Sequence, residues 1–108
     1  MISSDIIRGY NDPIILFLLL EEPSYGYEIS RKIRSITQEK YIIKETTLYS
    51  AFNRLEKNGY IESFSGNESH GKPRTYYRIT QAGREYYLQK SHEWQITQEV
   101  INHFIIDE

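Results

Sequence analysis

A chain of 108 residues holds one domain, able to bury roughly two-thirds of the surface that its unfolded form exposes. Without cysteine there is no disulfide framework and no thiolate metal site, and the longest apolar run, Ile14–Leu20, falls far short of the ~20 residues that span a bilayer. The net charge of −2 conceals a pattern: residues 1–30 carry one Lys/Arg against five acids, residues 31–90 twelve against six, and residues 91–108 none against four. A basic middle between acidic ends is the distribution of a nucleic-acid face opposite a face of another purpose.

The hydrophobic fraction of 39% and ten tyrosines indicate a packed globular protein. The opening, MISSDIIRGYND, is polar and acidic and does not resemble a signal peptide, so the expected address is the cytoplasm. Asp5–Tyr10 can form a short helix. Asp12-Pro13 then marks a helix start, with Asp as N-cap and Pro in the first turn. Ile14–Leu20 is apolar on every side, which predicts a central helix contacted by more than one neighbour. Glu21-Glu22-Pro23 ends it. Ser24 can cap a second helix from Tyr25 to about Ser35, with Tyr25, Ile29, Ile33 and Ile36 in one stripe. Thr37–Glu45, with Tyr41-Ile42-Ile43, reads either as a short strand or as an apolar turn between two helices.

Thr46–Gly59, TTLYSAFNRLEKNG, is the most informative stretch. Leu48, Ala51, Phe52 and Leu55 fall at i, i+3, i+4 and i+7, one stripe of a helix. Thr46 is placed to cap its start, and Gly59 to end it in a left-handed turn. The opposite face carries Thr47, Tyr49, Ser50, Asn53 and Arg54, short donors and acceptors rather than a Glu/Lys ladder. Such a face suits a DNA groove, and it reads as the recognition helix of a winged helix-turn-helix. Tyr60–Ser65 has strand character, Gly66–Pro73 is turn chemistry, and Arg74–Thr80 alternates with Tyr77 and Ile79 on one face and Arg74, Tyr76 and Arg78 on the other. That hairpin has the size of a wing.

Thr80 caps a last helix, Gln81 to about Ile105, roughly 37 Å long. Tyr87, Trp94, Ile101 and Glu108 recur every seven residues, and Ile96, Val100, Phe104 and Ile105 broaden the apolar face. A long helix exposing such residues invites a symmetric partner, so a two-fold dimer is expected. Packing of this helix back on its own domain is the alternative. The fold expected is mainly α within an α+β class: three helices and a β-hairpin wing over residues 1–80, then a dimerisation helix over residues 81–108.

Three motifs in register carry a resemblance: Gly26-Tyr27-Glu28-Ile29, then Leu48-Tyr49 with Arg54-Leu55-Glu56 and Gly59, then Tyr76-Tyr77-Arg78-Ile79-Thr80 with Gly83. From Arg8 to Gly83 the chain resembles the PadR family of transcriptional regulators, and its single terminal helix is similar to the short-tailed subgroup. The resemblance implies a winged-helix fold, a dimer built on the C-terminal helix, repression of a promoter, and in some relatives an apolar or aromatic compound at the dimer interface. Three positions depart from the family pattern: Ser50 stands where proline is usual, Phe52 where leucine is common, and Asn11-Asp12-Pro13 replaces a more apolar helix start.

On this reading the DNA-contacting set is Tyr25, Gly26, Thr46, Thr47, Tyr49, Ser50, Asn53, Arg54, Lys72 and Arg74. Asn53 can bond an adenine edge twice, and Arg54 can read guanine or clamp a phosphate. Arg54 can instead pair with Glu56 or Glu45 on the surface. Tyr49 can donate to a phosphate or cover the core with its hydroxyl at the rim. The free amides at Tyr25 and Gly26 attract a phosphate, and Lys72 and Arg74 flank the wing tip, where His70 also lies. Tyr87, Trp94, Ile101, Phe104 and Ile105 are expected at the dimer interface, with Trp94 and its mate forming a slot for a planar aromatic effector. His70, His92 and His103 lack metal-ligand spacing, and no nucleophile or phosphate-loop motif occurs, so no enzyme, metal or cofactor is expected. The partners expected are double-stranded DNA and a second copy of the chain, with no membrane. The competing function is a winged helix used for protein–protein contact without a specific DNA site.

Overall fold

The computed structural model describes residues 2–69 and 72–106, apart from the side chains at 67–69 and 72–73. Ser3 caps the first short helix, α1 (Ser4–Ile7), by accepting from the Ile6 amide at 3.3 Å. A 3₁₀ turn, Arg8–Tyr10, leads directly into α2 (Asn11–Leu18). The helix therefore starts one residue before the expected cap. Tyr10 is the N-cap, and Asp12 lies inside the first turn with its carboxylate free for other work. Pro13 also falls in that turn, where its missing N–H removes no intrahelical bond. Ile15, Leu16 and Leu19 are buried, whereas Phe17 is 52% exposed, so the apolar helix is central on one side and faces a groove on the other.

Helix α3 (Gly26–Ile36) and helix α4 (Glu45–Lys57) form the helix-turn-helix. Ser24 does not cap α3. It is fully buried and pairs with Tyr77 through two backbone bonds, Ser24 N–H to Tyr77 C=O at 3.1 Å and the reciprocal at 2.8 Å. Its hydroxyl donates to Glu28 Oε1 at 2.5 Å. Tyr25 becomes the N-cap residue, without a side-chain cap bond. In the predicted stripe Ile29 and Ile33 are buried, while Ile36 is exposed. Thr37–Glu45 proves to be the turn as far as Lys44, with Glu45 already in α4: Gln38 and Glu39 both adopt positive φ, 53° and 64°, and the chain reverses so that Tyr41 and Ile43 enter the core.

Helix α4 begins at Glu45 after Lys44, so Thr46 sits in the first turn rather than at the cap. Its stripe is as the period requires: Leu48, Ala51, Phe52 and Leu55 are all buried. Burial of such side chains stabilises by about 1.5–3 kcal/mol each for the larger ones, and this fixes which face α4 turns outward. The helix ends in a Schellman motif, with Gly59 at φ 79°, its amide donating to Glu56 C=O at 3.0 Å and the Tyr60 amide to Leu55 C=O at 2.9 Å.

Strands β1 (Ile61–Ser69) and β2 (Lys72–Ile79) pair antiparallel from Ile61↔Ile79 to Gly66↔Arg74, and after an irregularity Ser69 pairs with Lys72. The ladder thus extends into the expected turn Gly66–Pro73 and shortens it. With Ser24 against Tyr77, the hairpin gains a third, one-residue strand.

Helix α5 (Gln81–Asn102) ends three residues before the expected Ile105. Thr80 caps it, accepting from the Gly83 amide at 3.0 Å and donating to Gly59 C=O at 2.6 Å. Gly83 is buried against the Tyr60 carbonyl, and a β-carbon there would overlap that oxygen. The first half of α5 packs on its own chain: Tyr86 stacks on Tyr60 at 4.2 Å, Arg84 donates to Leu20 C=O at 2.8 Å, and Tyr87 meets Phe17 at 6.2 Å. The second half leaves the body, giving principal extents of 54 × 29 × 22 Å. Among the described residues no helix is long and apolar enough to cross a membrane.

Candidate nucleic-acid interface

Because its apolar stripe is buried, α4 turns Thr46, Tyr49, Ser50, Asn53 and Arg54 outward, with Thr47 partly covered. Among the described residues, no hydrogen bond engages the side chains of Thr46, Thr47, Ser50 and Asn53, which offer an unspent row of donors and acceptors.

Tyr49 settles between its two readings. Its ring edge rests on Phe52 at 5.5 Å, and its hydroxyl occupies the space where a Gly26 β-carbon would stand. The hydroxyl is thereby brought to the first turn of α3, whose leading amides lack intrahelical acceptors and attract anions.

Arg54 pairs with neither Glu56 nor Glu45. Its guanidinium grips Asp12 on α2 in two places, Nη2 to Oδ1 at 2.5 Å and Nε to Oδ2 at 2.9 Å. That hydrogen-bonded carboxylate raises the Arg54 pKa above its ordinary value, so the charge is permanent. Glu56 instead accepts from the Ser63 amide at 3.2 Å and from its hydroxyl at 2.6 Å, which fastens the end of α4 to β1. Sequence reasoning missed Asp12 as the partner because 42 residues separate the pair.

On the wing, the two faces lie as the alternation requires. Tyr77 is buried and stacks on Phe52 at 4.1 Å, while Arg74, Tyr76 and Arg78 lie on the outer face. The Arg74 guanidinium lies 4.0 Å from the centre of the Tyr25 ring, and that of Arg78 lies 4.1 Å from the Phe64 ring. Arg78 also approaches Glu62 at 3.9 Å. Sequence reasoning missed Phe64 and gave Tyr76 no role beyond its outer-face position. The Lys72 side chain and His70 lie outside the described residues.

The opposite side of the molecule is apolar. The N-terminal helices, the end of α3 and the middle of α5 enclose an open groove of about 900 Å³, walled by residues that include Tyr10, Phe17, Tyr87 and Trp94. Trp94 meets Tyr10 edge-on at 5.1 Å and remains 44% exposed. Tyr87 is partly covered by its own chain, whereas Ile101, Phe104 and Ile105 are exposed. Beneath the groove the Tyr41 hydroxyl donates to Asn11 Oδ1, and burial pushes the Tyr41 pKa up. Among the described residues no cluster of His, Asp or Glu could hold a metal ion.

A helix-turn-helix followed directly by an antiparallel hairpin, with a polar helix face turned outward beside it, defines a winged helix-turn-helix protein. The model of the transcriptional regulator PadR-like family matches residues 15–90. A transcriptional regulator from Clostridium thermocellum is 63% identical, with 98% of this chain and 100% of that chain covered and a TM-score of 0.91. A PadR family transcription regulator from hypervirulent Clostridium difficile is 35% identical over 89% of this chain and 98% of that one, with a TM-score of 0.77. A protein from Lysinibacillus sphaericus, described only as uncharacterized, is 49% identical over 97% of this chain and 96% of its own length. The chain belongs to the PadR-like family of transcriptional regulators, whose members are regulators and not enzymes.

Proposed function

We propose that this protein binds duplex DNA as a homodimer at a palindromic operator, represses the adjoining promoter, and is released by a planar aromatic ligand held near Trp94 between the two copies. The observation that carries the reading is the continuity of one surface. The exposed row on α4, the Tyr49 hydroxyl at the first turn of α3, and Arg74 beside it form one polar and cationic patch. A groove ~12 Å wide admits α4, with Thr46, Thr47, Ser50 and Asn53 nearest the bases. Tyr25, Gly26, Tyr49, Lys72 and Arg74 then serve the phosphates. Arg54, held by Asp12, ties α4 to α2.

Residues 1–80 read the DNA and residues 81–108 pair the subunits. Support for pairing comes from the far end of α5 and the residues just beyond it, where Val100, Ile101, Phe104, Ile105 and Ile106 are each about half exposed or more. An apolar surface of that extent is normally covered by a partner. Because its target is chromosomal DNA, the protein acts in the cytoplasm.

The experiment is a binding titration with duplexes from the region upstream of its own gene, at about 50 and about 200 mM salt. Six or more phosphate contacts weaken binding by about 10³-fold over that interval. A flat response, or no binding at low salt, supports the protein–protein module instead. Trp94 fluorescence against a panel of planar phenolic compounds tests the effector slot.

A further inference from the structure

The outer face of the wing holds an aromatic ladder with an arginine at each end. From one edge to the other, Arg78 covers Phe64 at 4.1 Å, Phe64 meets Tyr76 at 5.7 Å, Tyr76 meets Tyr25 at 5.2 Å, and Tyr25 carries Arg74 at 4.0 Å. Backbone pairing builds it. Phe64 stands opposite Tyr76, and Ser24 opposite Tyr77 brings the next residue, Tyr25, alongside Tyr76. Gly66 completes it, since the Tyr76 ring lies where a β-carbon on Gly66 would be. The three rings span three backbone segments and hold one another in place.

The two arginines end differently. Arg78 has Glu62 beside it at 3.9 Å, so its charge is partly answered. Arg74 has no carboxylate partner among the described residues, and its guanidinium carbon lies 4.0 Å over the centre of the Tyr25 ring. A guanidinium held over a ring that accepts no hydrogen bond from its edge keeps N–H groups available to meet an oxyanion twice. Stacking also removes rotamer freedom that Arg74 would otherwise lose on binding.

We propose that the Tyr25 ring is a positioning residue for DNA binding: it holds Arg74 ready for a backbone phosphate. This rests on the DNA-binding reading above. It gives Tyr25 a function through its ring, separate from its place at the start of α3.

The test is a double-mutant cycle in duplex affinity with Tyr25→Leu and Arg74→Ala, with Tyr25→Phe as the restoring variant. Cation–π energies at exposed to partly desolvated sites translate to about a five-fold loss for Tyr25→Leu. Arg74→Ala loses about ten-fold and lowers the salt slope by about one, and the double variant loses no more than Arg74→Ala alone. Tyr25→Phe returns the affinity that leucine removes. Independently of DNA, the Arg74 Nε–H proton resonance carries a ring-current shift that Tyr25→Leu abolishes and Tyr25→Phe keeps. Tyr25→Gln repeats the comparison should the leucine variant unfold. Additive losses, or an unchanged Arg74 resonance, overturn the positioning role while leaving the DNA reading intact. Failure of the unmodified protein to bind any duplex removes both.

Discussion

The pair between Arg54 and Asp12 distinguishes a strut from a base reader. Asp12→Asn removes the charge attraction at nearly the same volume, and Arg54→Gln removes it with a shorter side chain that cannot reach as far. Arg54 is half exposed and Asp12 only 17% exposed, and both guanidinium bonds are short and parallel. Exposed pairs couple by about 0.2–1 kcal/mol, and two-point geometry at a partly covered carboxylate places this one near the upper end, ~1 kcal/mol. Urea unfolding of the four proteins at one fixed concentration reads this directly, as a midpoint shift of about 0.5–1 M for each single variant and little more for the double. Duplex affinity gives the second reading. A strut makes Asp12→Asn and Arg54→Gln equally harmful, since both free α4 from α2. A base contact makes only Arg54→Gln harmful, by roughly 1–3 kcal/mol. A coupling energy below ~0.2 kcal/mol, or intact affinity in Asp12→Asn beside a loss in Arg54→Gln, refutes the strut.

Three further outcomes concern single positions. Gly83→Ala drives a methyl into the Tyr60 backbone oxygen, which cannot move without breaking its bond from the Thr80 amide, so stability falls by about 2–3 kcal/mol in a thermal melt. Gln38→Gly relieves a left-handed φ of 53° at an exposed position and raises the stability read from urea unfolding by about 0.5–1 kcal/mol after the added freedom of the unfolded chain is counted. Burial raises the pKa of Tyr41 and Tyr77 above 10.0, so their folded forms favour the protonated hydroxyl. That stability is complete below pH ~10 and is lost as pH rises through the folded values, so absorbance titration shows these two hydroxyls ionising late and together with unfolding.

The elements that can be read from the sequence are those specified locally. The α4 stripe repeats within eight residues, Gly59 acts on the turn it ends, and the alternation of Arg74–Ile79 sorts its own faces. Helix starts are displaced by one or two residues at Asp12 and Thr46 because neither α2 nor α4 uses a side-chain cap, leaving no local marker. The features that complete the candidate interface join distant parts of the chain. Ser24 reaches Tyr77, Asp12 reaches Arg54, and Tyr25 reaches Arg74, and no spacing rule connects residues so far apart. Ser24 shows the cost: as a free serine before a helix it reads as a cap, and only the presence of β2 makes it a strand. Ile36 and Phe17 mark the other shortfall, since periodicity tells which side of a helix is apolar and not whether anything in the same chain covers it.

The proposed function requires that two copies of this winged helix read consecutive turns of one duplex. Selection of genomic fragments by the purified protein, followed by footprinting of the enriched sequence, tests it most directly. The expected product is an inverted repeat whose half-site centres lie about one helical turn, ~34 Å, apart, protected by two chains per site. Enriched fragments with no shared repeat, or a footprint covered by one chain, would contradict it.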